Sequence, residues 1–142
     1  MNSEIELHDS ECVSIEQDQQ GNGTVILSAY VHRYECALGE APHEGGEQRI
    51  RMTIDSIAVS GEVGELPATI YDGSLTVGPS RLGLIPFPAR HEGSVTLTMI
   101  LSDDARQVEM TGIAIEIFSE STFRFIERVD FTRPAAPAPP RS

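Results

Sequence analysis

The sequence predicts an all-β fold, an antiparallel β-sandwich or small barrel with about seven to nine strands and little helix. Apolar and polar residues alternate along most of the chain, whereas the repeat of an amphipathic helix is scarce. The alternating segments are short and are separated by clusters of Gly, Pro, Asn, Asp and Ser, which are typical of the turns between strands.

The clearest predicted strand lies at residues 94–101, where Val95, Leu97 and Met99 alternate with polar side chains. This pattern indicates a strand with one buried face and one threonine-lined face. A short strand is predicted at residues 4–8. The other predicted strands, in chain order, are residues 12–17, 24–36, 49–54, 68–77, 108–117 and 122–131.

The alternation changes parity twice, which indicates strongly curved strands. Ile54 belongs to one apolar series, and Ile57 and Val59 then follow on the opposite parity. A bulge or a turn is therefore predicted near Asp55 and Ser56.

The second change separates Val108 and Met110 from the isoleucines that begin with Ile113. Gly112 lies at the changeover, and glycine is a residue type suited to a bulge or a sharp bend. We expect the strand to bend there.

Five short clusters are turn signals between the predicted strands. They are Gly21-Asn22-Gly23, Gly45-Gly46, Asp72-Gly73, Gly78-Pro79 and Ser102-Asp103-Asp104.

The length of 142 residues favours one folded domain, predicted over residues 1–131. Residues 132–142 form a Pro/Ala-rich tail, whose composition is typical of polyproline II or disorder.

Residues 81–88 form an apolar, proline-containing loop. Leu84, Ile85 and Phe87 either close one end of the core or contact a partner, and this loop or the tail could hold a homo-oligomer together.

The charge balance restricts the partners. Asp and Glu number 22 against 10 basic residues, which are all Arg and are scattered, and the formal net charge is −12. Nucleic acid and membrane surfaces are therefore not expected as partners, since both attract clustered cations. The acidic surface favours a protein partner, most naturally a basic one.

No apolar segment long enough to span a membrane and no secretory signal is evident, so a cytoplasmic location is expected. Cys12 and Cys36 lack a CxxC spacing and are interpreted as reduced, buried thiols, although a disulfide remains an alternative.

The motif search predicts no cofactor and no metal site. The sequence has no nucleophile elbow and no phosphate-binding loop. Each of the four histidines has an acid nearby, but so many acids make such neighbours common. A cupin-like barrel is one possible architecture, but His32-Arg33-Tyr34-Glu35 holds one His where the cupin motif needs two, so no cupin ligands are carried over.

Glu127 is the carboxylate that breaks the strand pattern. It shares a predicted strand face with Phe123, Phe125, Val129 and Phe131. An acid on an apolar face needs a partner, so Glu127 either contacts a ligand at the mouth of the barrel, pairs with an arginine, or lies in solvent.

The segment Leu7-His8-Asp9-Ser10, together with Ala29-Tyr30-Val31-His32-Arg33 and the glycine-rich residues 44–48, resembles uncharacterised bacterial domains that open with a Leu-His-Asp-Ser stretch. These domains are predicted to be small β proteins. The resemblance implies that His8, Asp9 and His32 form a shared polar cluster.

Two functions follow as expectations. The first is a non-enzymatic acidic β-domain that acts by protein–protein binding. The alternative is a small-molecule- or metal-binding barrel, which could be an enzyme, with a polar pocket near His8, His32 and Glu127. Asp9 is a further candidate ligand-binding residue.

Overall fold

The computed structural model describes residues 2–35, 42–102 and 106–129, and the regular structure in these ranges is entirely β-strand. The strands are β1 (Asn2–Gln17), β2 (Gly23–Tyr34), β3 (His43–Asp55), β4 (Ala58–Gly61), β5 (Ala68–Val77), β6 (Ser80–Leu82), β7 (Leu84–Pro86), β8 (Ala89–Leu101), β9 (Arg106–Ser119) and β10 (Arg124–Val129).

Six long strands close into an antiparallel barrel in the order β3-β2-β1-β5-β8-β9, and pairing of β9 with β3 completes the ring. Two strands extend the sheet outside the ring, with β10 beside β3 and β4 beside β9. The short β6 and β7 pair with β5 and β1. The predicted all-β barrel is confirmed.

The barrel interior holds the core, and side-chain parity decides which residues enter it. In β2, Val25, Leu27, Ala29 and Val31 are fully buried in the core cluster. The residues between them point to the outer face of the barrel. This parity places Tyr30 and His32 outside the core, on the outer face.

The first predicted parity change is confirmed as a turn. Ser56 has a φ of 53°, and β3 ends at Asp55 just before it. Ile57 enters the core, whereas Val59 is exposed on β4.

The second parity change lies two residues later than predicted. Ile113 is 60% exposed, so its assignment to the apolar face is wrong, and the change falls between the buried Ala114 and Ile115. Here β9 passes from pairing with β4 to pairing with β3. A Cβ on Gly112 would overlap Ile54, so glycine permits this close approach.

Two predicted turns are confirmed. Gly78-Pro79 joins β5 to β6, with a φ of 56° at Gly78. Gly21 has a φ of 85° in the turn between β1 and β2. The fifth turn signal begins at Ser102, which has a φ of 66°, and then enters residues 103–105, outside the described part of the chain.

The other two turn predictions are wrong. Asp72-Gly73 lies within β5, and Gly45-Gly46 lies within β3. These glycines make room for packing instead of reversing the chain. A Cβ on Gly73 would lie 2.9 Å from a methyl carbon of Leu7.

Of the two interpretations of Leu84, Ile85 and Phe87, the alternative of an exposed contact does not fit Ile85 and Phe87, which are buried. Ile85 and Phe87 belong to the core cluster, and Leu84 is half-buried. The segment forms β7, which pairs with β1, so it contributes to the core as in the first interpretation.

Cys12 is buried and free, in agreement with the expected reduced thiol. Cys36, residues 130 and 131 of the predicted strand 122–131, and the tail at residues 132–142 lie outside the described ranges. The described residues contain no helix that could cross a membrane.

Candidate functional site

The outer face of the sheet carries a cleft of about 600 Å³ beside β2. We call it the outer-face cleft, and its lining residues are Glu6, Asp9, Tyr30, His32, Glu127, Arg128 and Val129. They come from β1, β2 and β10. The site therefore lies on the outside of the barrel and not in its mouth.

An irregularity in β1 shapes the first wall of the cleft. The register with β2 shifts between Glu6 and Glu11, and Asp9 has a φ of 77° within that interval. The buried Ser10 hydroxyl donates to the Glu6 carbonyl over 2.7 Å and accepts the Tyr30 N–H over 2.9 Å. The hydroxyl thus replaces a backbone partner in the ladder and fixes the bulge.

Three side chains on three neighbouring strands form a hydrogen-bonded chain that runs from the cleft to β3. His32 Nε2–H donates to Glu6 Oε1 over 2.6 Å, because a carboxylate oxygen can only accept. The other ring nitrogen of a neutral His32 is then an acceptor, and His43 Nε2 lies 2.7 Å from it. His32 and His43 are 2% and 4% exposed. The chain runs Glu6, His32, His43 across β1, β2 and β3.

Burial, and secondly the positive charge of His32 in its protonated form, lower the pKa of His43 below its ordinary range. His43 also borders a smaller cleft of about 210 Å³, which it shares with Tyr34 and Arg128. The two histidines therefore lie between two surface depressions, and Arg128 lines both of them.

The Tyr30 hydroxyl donates to Glu127 across the outer-face cleft. Burial, this hydrogen bond and the negative charges of Glu127, Glu6 and Asp9 all raise the pKa of Tyr30. Tyr30 therefore keeps its proton near neutral pH and acts as a donor. Its ring also packs edge-on against His32, with 5.1 Å between centroids.

Glycine at position 45 makes room for Tyr30. Gly45 pairs with both His32 and Glu127 across the sheet, so it lies beneath the cleft. A Cβ there would overlap the Tyr30 hydroxyl and lie 3.1 Å from a methyl carbon of Val129. The glycine pair that resembles a turn in the sequence is thus a packing feature of the site.

The structure brings together Asp9, His32 and Glu127 of the four predicted ligand-binding residues. His8 is exposed and lies at the edge of this group, with its Nδ1 3.5 Å from an Asp9 carboxylate oxygen. One donor atom each from Glu6, His8 and Asp9 lies within 4.8 Å of the others, so within the described part of the chain these three residues form a group that could hold a metal ion.

The prediction that Glu127 lies on an apolar inward face is wrong. β10 lies outside the barrel ring and a bulge falls between Phe125 and Glu127, so simple alternation does not hold. Glu127 is exposed and Phe125 is 56% exposed. Of the interpretations, solvent contact combined with a side-chain partner holds, but that partner is Tyr30 and not an arginine.

Sequence reasoning missed Glu6, Tyr30 and His43. The signal for the first two was available, since Glu6 alternates with the core residues Ile5 and Leu7, and Tyr30 has the same parity as His32. His43 has no local signal, because its proximity to His32 depends on the pairing of β3 with β2.

Comparison of the chain with protein families, with curated proteins and with solved structures finds no match.

Proposed function

We propose that the protein is a small-molecule-binding β-barrel and that its ligand occupies the outer-face cleft. The observation that carries the proposal is the meeting of Asp9, Tyr30, His32 and Glu127 from three strands around one depression. A cleft of about 600 Å³ lies within the range of small-ligand sites.

The polar groups of the cleft are ordered before any ligand arrives. His32 is held by Glu6 and His43, and the Tyr30 hydroxyl is held by Glu127. A site whose polar groups are already oriented loses less conformational entropy on binding. Two buried histidines on the outer face of a barrel add nothing to the apolar core, and they support a role in organising this site.

The test is a small-molecule screen observed by NMR on the full-length protein. We expect binders to shift resonances of residues that line the cleft, and Tyr30→Phe, which removes only the hydroxyl, to weaken them. Tyr71→Phe is the matched control, because Tyr71 is 48% exposed on β5, a different strand. Binders that map to other surfaces, or that tolerate the loss of the Tyr30 hydroxyl, would contradict the proposal.

The metal-dependent version of this function is tested on the same protein. Elemental analysis of untagged protein would show a stoichiometric metal that is lost when His8 is replaced by alanine, because His8 is the nitrogen donor of the possible ligand set. A protein without stoichiometric metal removes this version and leaves the small-molecule proposal in place.

A second candidate function is binding of a basic protein partner at β10. β10 lies at one end of the strand order, and its Phe125 and Ile126 are 56% and 48% exposed. An apolar pair on an outer strand of a chain with net charge −12 is suited to a basic, partly apolar partner.

The partner hypothesis predicts capture that weakens with salt and is lost in Phe125→Ser. Ile113→Ser is the control, because Ile113 is 60% exposed on β9. Capture that is independent of salt, or equal loss in both variants, would contradict it.

A further inference from the structure

We infer that the outer-face cleft selects a small organic cation of the alkylammonium class. The inference rests on the proposed function, because it names the chemistry of the ligand that the cleft would take.

The charge of the lining residues is negative. Glu6, Asp9 and Glu127 contribute carboxylates from two strands, and Arg128 is the basic residue among them. The negative charges of all three carboxylates raise the pKa of the Tyr30 hydroxyl, which lies among them in the cleft. The negative potential is therefore concentrated in the cleft, and a cation gains from it.

The hydrogen-bonding groups of the cleft also favour a ligand that donates hydrogen bonds. Glu6 accepts from His32 through Oε1, and Glu127 accepts from Tyr30 through Oε2. A carboxylate has two oxygens, so Glu127 keeps a second acceptor while the first fixes its orientation. The second oxygen of Glu6 lies 3.7 Å from His8 Nδ1 at the edge of the cleft. Asp9 adds a further carboxylate at the same cleft. An ammonium group offers three donors and no acceptor, which complements this set.

The remaining surface of the cleft fits an alkyl group. The Tyr30 ring and the Val129 side chain line it beside the carboxylates. An aromatic face attracts both a cation and a methylene chain. Tyr30 therefore favours a ligand that carries a cationic group on an alkyl chain. This apolar wall distinguishes an alkylammonium from a bare metal ion, which would contact oxygen and nitrogen donors alone.

The experiment titrates the full-length protein with three probes of similar size: n-butylammonium, 1-butanol and butyrate. Binding is followed by NMR chemical shifts of the residues that line the cleft. We expect n-butylammonium to shift these resonances at lower concentration than 1-butanol, and butyrate to leave them unchanged. Glu127→Gln and Asp9→Asn should each weaken the ammonium by about three- to fivefold, which is the size of one exposed charge interaction.

Glu16→Gln is the matched control, because it removes one exposed carboxylate from the other end of β1. Nα-acetyl-lysine methylamide is a fourth probe, which represents a lysine side chain of a protein. If it binds more strongly than n-butylammonium, the ligand is still an alkylammonium, and its source is a protein lysine. Equal or stronger binding of 1-butanol or butyrate at the cleft would overturn the cation inference and leave the cleft as a ligand site. Absence of shifts with every probe would overturn the cation inference, whereas the proposed function falls when the small-molecule screen finds no binder at the cleft.

Discussion

His32 and His43 lie on adjacent strands with His32 Nδ1 2.7 Å from His43 Nε2, and both rings are buried on the outer face of the barrel. A direct hydrogen bond between two imidazoles requires one nitrogen to donate and the other to accept. Glu6 supplies this asymmetry, because its carboxylate accepts the Nε2–H of His32. The hydrogen bonds of the pair therefore run in one direction, and they connect the cleft to β3.

The bulge in β1 depends on one hydroxyl. Ser10→Ala removes the group that donates to the Glu6 carbonyl and accepts the Tyr30 N–H, and Ser10 is 2% exposed. We expect a loss of about 1–3 kcal/mol in the free energy of unfolding, because buried backbone groups lose a partner. Urea denaturation measures it. Ser60→Ala, at an exposed position of β4, is the control and should change stability by less than about 0.5 kcal/mol. Equal effects in the two variants would contradict this role for Ser10.

Gly45→Ala tests whether the absence of a side chain at position 45 is needed to accommodate the Tyr30 ring. The added methyl would overlap the Tyr30 hydroxyl, so we expect about 1–3 kcal/mol of destabilisation together with displacement of the Tyr30 ring. Thermal unfolding and the NMR resonances of Tyr30 measure the two effects. A methyl added at Gly83 would have no atom of the described residues within 4 Å, so Gly83→Ala should be close to neutral. A stable Gly45→Ala protein with unchanged Tyr30 resonances would refute the packing argument.

The thiol of Cys12 should be inert in the folded protein. Burial, and then the charge of Glu11, raise its pKa to about 12. At pH 8 only about one molecule in ten thousand would then carry the reactive thiolate. In a Cys36→Ser background, we expect a thiol reagent to modify Cys12 at the rate of unfolding and quickly in urea. Fast modification without denaturant would show that the thiol is accessible.

Stability should fall in mild acid because of His43. Its pKa is lowered below the ordinary value of 6.5, so the unfolded chain binds more protons than the folded protein as the pH falls through that value. Among the described residues, His32 and Tyr34 contact the His43 ring, and the charged residues of its smaller cleft are Arg33, Glu35, Glu44 and Arg128. Denaturation between pH 8 and pH 5 should show a flatter dependence in His43→Gln than in the parent protein. The slope and not the overall stability is the readout, and identical slopes would contradict the assignment.

Local sequence pattern predicts the fold better than the site. The alternation of Val95, Leu97 and Met99 predicts a half-buried strand, and these residues lie in the core. Such a pattern reflects neighbouring residues in one strand, which the sequence displays directly. His32 and Asp9 are candidates through the resemblance to the Leu-His-Asp-Ser domains and not through this pattern.

The assembly of the site depends on long-range pairing, which no local pattern encodes. Tyr30 meets Glu127 across 97 residues, through the pairing of β10 with β3. Gly45 shows the same limit, since its neighbours along the chain indicate a turn while its function is to admit a ring from β2. The bulges beside Asp9 and Glu127 also break the parity on which the face assignments rely.

The buried chain from Glu6 through His32 to His43 is tested most directly by NMR of the imidazole groups. With ¹⁵N-labelled histidine, we predict ring N–H protons for His32 and His43 that exchange slowly with water, are shifted downfield by hydrogen bonding, and change together in Glu6→Gln. The His8 ring, which is exposed, supplies the internal reference for fast exchange. Fast exchange at His32 and His43, with resonances indifferent to the loss of the Glu6 charge, would contradict the account.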